Sequence, residues 1–149
     1  FFVLSPAVLH EDGHLMDYRS WKDRGWCRFE RLARVMTSRT PATLLVVEGQ
    51  NSLVEMGSRD LFFDPVGHGE FAVAADRGRL AGPASRLLEL RLRSLLDAGD
   101  MRAYVRLMSW SACLLDGLSS CLPNFWDSRA WEADSRPAES FLRMMRMEE

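Results

Sequence analysis

The sequence contains one lysine, Lys22, while its arginines are spread over every segment, and its formal net charge is -2. It therefore has no basic stripe of the kind that follows a phosphate backbone, and nucleic acid drops out of the partners considered. Cysteine is sparse: Cys27, Cys113 and Cys121 form an odd set without paired metal spacing. Such a set does not make a disulfide framework, so a reducing, cytoplasmic setting is expected. No apolar run approaches the ~20 residues that a bilayer span needs, and no membrane segment is expected. G-x-G-x-x-G, the P-loop and G-x-S-x-G are all missing, which removes the simplest phosphate-cradling and nucleophile-elbow readings. The chain also lacks an initial Met, and "FFVLSPAVL" has no basic flank of a signal peptide. A fragment whose upstream part is missing is the expectation. What is present is ordinary for a globular domain: 149 residues, 47% hydrophobic and 27% charged, enough for one real core.

The pattern along the chain predicts an α/β order. "FFVLSP" reads as a short buried strand closed by Ser5-Pro6. Residues 10–20 are polar and carry the turn pair Asp12-Gly13. From Trp21 to Met36 the period becomes helical, with Trp26, Phe29, Ala33 and Met36 on one side and Arg28, Arg31 and Arg34 on the other. "ATLLVVEG", 42–49, is the clearest strand, apolar, β-branched and stopped by Gly49. Strand, helix, strand implies a parallel sheet. Residues 50–82 read as loop-rich, with "EFAVAAD" as a short edge strand. Pro83 is placed to open a helix running to about Leu96, Gly99 to end it, and Asp100 to cap the next one. Met101, Tyr104, Val105, Met108, Ala112 and Leu115 share a face of that helix, residues 117–136 read as irregular, and "RPAESFLRMMRM" reads as a last amphipathic helix.

Two stretches compete as sites. "HEDGH", residues 10–14, matches H-E-x-x-H, in which two histidines on one helical face bind zinc beside a catalytic glutamate. Here the motif contains Asp12-Gly13, and a glycine inside a helix costs about 1 kcal/mol. A turn is the better reading, with a zinc hydrolase through His10, Glu11 and His14 ranked last. "GWCRFE", residues 25–30, places Glu30 and Cys27 in the first turns of a helix, whose N-terminal end stabilises an anion by ~0.3–1 kcal/mol. Such a glutamate faces the crevice at the carboxyl ends of the strands, where open α/β sheets bind ligands. The same position lowers a thiol pKa. Ordinary structural roles compete: Trp26 and Cys27 in the core, and Glu30 capping its helix or paired with Arg34. Cys27 with His68 as a thiol-protease pair has no supporting signature.

"FFVLSP" followed by "WCRFERL" resembles the second half of a Toll/interleukin-1 receptor (TIR) domain, through Ser5, Pro6, Trp26, Cys27 and Glu30, with "TLLVVEG" as the next strand. The resemblance covers roughly the first half of the chain. It implies a flavodoxin-like parallel sheet, here partial because the family's first strands are absent. It also implies Glu30 as the catalytic carboxylate of an NAD glycohydrolase, with Ser5, Trp26 and Cys27 binding substrate or positioning the helix. NAD would be substrate, and no cofactor or metal is implied. Cleaving the nicotinamide–ribose bond develops an oxocarbenium-like sugar that a fixed carboxylate can stabilise. Other members of the family only self-associate. The chain departs from the family at residues 7–25, an insertion beside the crevice. "SWKDRGWCRFERLARVM" and "EFAVAADR" are also similar to a group of large protist proteins in which such a domain often precedes ankyrin repeats. The expected organisation is a TIR-like portion over 1–82 and a helical extension over 83–149. The leading functional expectation is a non-catalytic signalling and interaction module, with protein partners or self-association. The NAD glycohydrolase is the alternative.

Overall fold

The computed structural model describes residues 2–37, 44–57 and 61–118. The chain is α/β. β1 (Phe2–Leu4) is followed by a short hairpin, β2 (Val8–Leu9) and β3 (Leu15–Met16), then α1 (Tyr18–Asp23) and α2 (Gly25–Thr37). β4 (Leu44–Gly49) and β5 (Ser52–Met56) come next, and then the long helices α3 (Ala75–Asp97) and α4 (Met101–Leu114). β1 pairs with β4 in parallel, as expected for two strands joined through a helix. The sheet is not wholly parallel, however. β5 returns antiparallel along β4, giving the order β1-β4-β5. "SLVEM" was expected to be loop, yet the Gln50-Asn51 turn between two β-capable runs makes a hairpin.

Register sorts the side chains of this sheet. Val3 and Val46 are paired and both buried, at 4% and 0% exposure. Alternation then sends Phe2, Leu4, Leu45, Val47 and Leu53 to the opposite face. Phe2, Leu4 and Leu53 are 66%, 75% and 61% exposed there.

The helical core is built on α2, α3 and α4, around Leu32, Leu80, Leu88, Leu92, Leu114 and Leu118. Burying each such side chain is worth about 1.5–3 kcal/mol before chain entropy is counted. α3 begins at Ala75, eight residues before Pro83, so "EFAVAAD" is not an edge strand and Pro83 lies inside the helix. Alanines favour helix, and Asp76 in the first turn suits the positive end of the dipole. Gly82 before the proline has no Cβ to clash with its ring. The boundary expected between residues 82 and 83 thus falls within one continuous helix that packs against α2 and α4. Gly99 ends it with φ +69, and Asp100 caps α4 by accepting a 2.9 Å bond from Ala103 N, both as expected. The buried side of α4 is Tyr104, Leu107, Met108, Ser111 and Leu114, whereas Val105 and Ala112 turn outward. The last expected helix and Cys121 lie outside the described residues.

α2 is rotated from its expected orientation. Cys27, Arg28, Arg31, Leu32 and Met36 face inward, and Trp26 is 44% exposed. Arg28 and Arg31 are buried because residues 64–65 receive them. Arg31 Nη1 lies 3.1 Å from Asp64 Oδ2. Arg28 donates to Lys22 O at 2.9 Å and Pro65 O at 3.1 Å, with Asp23 Oδ1 at 3.4 Å. The expected single helix from Trp21 also breaks, at Arg24. There the backbone pairs with Glu70: Gly25 N donates to Glu70 O at 2.8 Å, and Glu70 N donates to Asp23 O at 2.7 Å. The loop before α3 thus fixes the start of α2 by both charge and backbone.

Candidate functional site

A cavity of about 200 Å3 lies at the carboxyl end of β1. The polar part of its wall is Ser5, Asp17, Ser20 and Arg24, and the apolar part is Leu4, Pro6, Val8, Met16 and Trp21. Each piece is set by local structure. Ser5 N extends the β1–β4 ladder to Val47 O at 2.9 Å, which fixes Ser5, 8% exposed, at the strand end. The hairpin forms one wall. Its turn is Asp12-Gly13, with Gly13 at φ +85 and His10 N bonded to His14 O at 2.8 Å. α1 forms the other wall, held by a capping box: Asp17 Oδ1 accepts from Ser20 N and Ser20 Oγ accepts from Asp17 N, both at 2.9 Å. Trp21 stacks on Tyr18 at 5.7 Å between ring centroids. Residues 7–25 therefore supply most of the cavity.

The residues singled out in the sequence do not converge here. Ser5 lines the cavity, while Glu30, Trp26 and Cys27 do not. Glu30 is exposed on the outer side of α2. Trp26 donates its indole N–H to Asp76 Oδ2 at 3.1 Å and packs edge-on against Phe29, tying α2 to the start of α3. Cys27 is buried, and burial pushes its thiol pKa up; Arg24 pulls it down and Glu30 adds to the rise. The expectation of a thiol lowered by the helix start is thus reversed, because desolvation outweighs Arg24 and the backbone hydrogen bond that favour the thiolate. With a raised pKa, the thiolate fraction at about pH 8 falls below that of an ordinary cysteine. In a Cys121→Ser background, Cys27 is expected to take up a maleimide roughly tenfold more slowly than exposed Cys113. Its rate should rise as pH climbs through the higher pKa. Peptide-resolved mass spectrometry reads both rates, and equal rates would refute the burial argument.

"HEDGH" is a hairpin turn, not a helix, and all five residues are exposed. His10 Nδ1 sits 2.9 Å from Asp12 Oδ1, and His68 pairs with Asp116 at 3.1 Å. Among the described residues no group of three or more His, Cys, Asp and Glu is arranged to hold a metal ion. Nor is any helix among them long and apolar enough to cross a membrane. Sequence reasoning missed Asp17, Ser20, Trp21 and Arg24 as wall residues. The available signal was Asp12-Gly13 between the apolar pairs Val8-Leu9 and Leu15-Met16, a hairpin pattern that folds the insertion back over the strand end. Comparison of the chain with protein-family models, curated proteins and solved structures finds no match in any of the three.

Proposed function

We propose that the chain is a non-catalytic interaction module of TIR-like type that self-associates through the outer face of its sheet. The observation that supports this reading is the exposed apolar row Phe2, Leu4 and Leu53, joined in register by Leu45 and Val47. Strands of a parallel β-α-β unit are normally covered on both faces. An apolar surface left open in this way is a typical association patch, and a two-fold pairing would bury the same patch on both copies. Val8, Leu9 and Leu15 of the hairpin that follows β1 are exposed as well. The NAD glycohydrolase reading has less support, since Glu30 stands outside the cavity that Ser5 lines.

Light scattering coupled to size exclusion tests this reading. The wild-type chain is expected to form a dimer or larger species by about 100 µM, a modest affinity, and Leu4→Lys with Leu53→Lys should return it to monomer without loss of helical signal. A wild-type monomer throughout that range would overturn the proposal. A parallel assay of nicotinamide release should show no turnover. Release by the wild type that is lost in Glu30→Ala would establish the glycohydrolase instead.

A further inference from the structure

We infer that the cavity at the end of β1 is a binding site for a small zwitterion with an apolar side chain, of the apolar α-amino acid class. This inference does not need the self-association reading: the cavity shares Leu4 and Val8 with that apolar face, but its charged groups, Asp17 and Arg24, take no part in the association. The first support is charge. One anion, Asp17, and one cation, Arg24, line the same cavity. Their side chains do not form an ion pair with each other, nor does Arg24 with any described carboxylate. Asp17 uses Oδ1 to cap α1 and retains Oδ2 as an acceptor. The two opposite charges stand at the two ends of α1, Asp17 at its N-cap and Arg24 at its C-cap, and a ligand carrying both signs suits them. A carboxylate would meet the Arg24 guanidinium, which is built for bidentate contact, and an ammonium would meet Asp17. The Ser5 hydroxyl adds a donor at the strand end.

The second support is size and lining. A dry apolar cavity of about 150 Å3 holds benzene. About 200 Å3 has room for a benzyl or isobutyl group on a carbon that bears the two charged groups. The rest of the lining includes Leu4, Pro6, Met16 and Trp21, an apolar surface for such a side chain. Pockets of this type, mostly apolar with a few convergent polar groups at the carboxyl end of a strand, are where α/β sheets take small ligands.

The test titrates L-phenylalanine and L-leucine into the 15N-labelled chain and follows the amide signals of Ser5, Asp17 and Arg24. Saturable shifts at these residues with a Kd below about 1 mM are expected. 3-Phenylpropionate, which lacks the ammonium, and phenethylamine, which lacks the carboxylate, should each bind at least about fivefold more weakly. Arg24→Gln should weaken phenylalanine about tenfold and leave phenethylamine unchanged. Asp17→Asn, which keeps a good helix cap, should weaken phenylalanine and leave 3-phenylpropionate unchanged. Absence of saturation up to about 10 mM, binding of 3-phenylpropionate as tight as that of phenylalanine, or shifts confined to residues away from the cavity would each overturn the inference.

Discussion

Asp64→Ala is expected to destabilise the chain by about 3 kcal/mol, near the upper end of single-residue effects. Asp64 is the carboxylate that Arg31 meets at 3.1 Å, and the Arg31 side chain is only 3% exposed. Removing the acid leaves a guanidinium in the interior with its charge uncompensated, which is far costlier than losing the pair as a whole. Lys22 Nζ, 3.5 Å from Asp64, offers no relief because it carries the same sign as Arg31. The segment around Asp64 also delivers the Pro65 carbonyl to Arg28 and the Glu70 backbone to the break between α1 and α2. The loss should therefore spread, and the Gly25 and Glu70 amides should exchange faster with solvent. Urea denaturation of the single variant and of Asp64→Ala with Arg31→Met separates the causes. The double variant should recover most of the loss, since it removes both charges and leaves an apolar side chain of similar length. A single variant within about 1 kcal/mol of wild type would show that Arg31 is stabilised by something other than this acid.

That buried network also explains where the sequence pattern misled. An arginine at every third position of α2 reads as a solvent face, and Arg34 is indeed exposed. Arg28 and Arg31 turn inward because acceptors arrive from residues 64–65, more than thirty positions away, and periodicity does not encode a partner at that distance. The same segment splits the expected helix at Arg24 through backbone bonds, which no side-chain pattern reports. Elements governed by local chemistry were legible: β4 from its β-branched run, the Asp12-Gly13 turn, and the Gly99-Asp100 junction between α3 and α4. The sequence pattern starts α3 too late because Pro83 resembles a helix start, whereas Gly82 lets it sit inside the helix. The candidate site was legible only at Ser5. Trp26 and Glu30 lie on the exposed side of α2 and Cys27 on its buried side, and the cavity wall comes from β1, the hairpin and α1.

Gly67→Ala is expected to cost about 3 kcal/mol, at the upper end for overpacking, because the obstacle is backbone and not a movable side chain. A Cβ at Gly67 would come within 2.2 Å of Gly117 C and 2.3 Å of Asp116 O. The 3-10 turn Val66–His68 thus rests directly on the turn that ends α4, and nothing larger than hydrogen fits between the two backbones. Val66, 2% exposed, and Leu118, 0% exposed, are buried beside this contact, so displacing the turn would open the core around them. The His68–Asp116 pair cannot hold the turn in place against that displacement, since both side chains are more than half exposed and such pairs are worth about 0–1 kcal/mol. Gly99→Ala supplies the control. Gly99 has φ +69 but open space around its Cα, so its alanine should incur only the left-handed backbone penalty, about 1–2 kcal/mol. Gly117→Ala combines φ +73 with contacts of 2.6 Å to His68 Cδ2 and 2.7 Å to Gly67 C, and should exceed Gly99→Ala. Urea midpoints for the three variants give the order directly. If Gly67→Ala is no more harmful than Gly99→Ala, the close approach of the two turns is not holding the loop to α4. The ion pair and the burial of Val66 would then have to account for that docking.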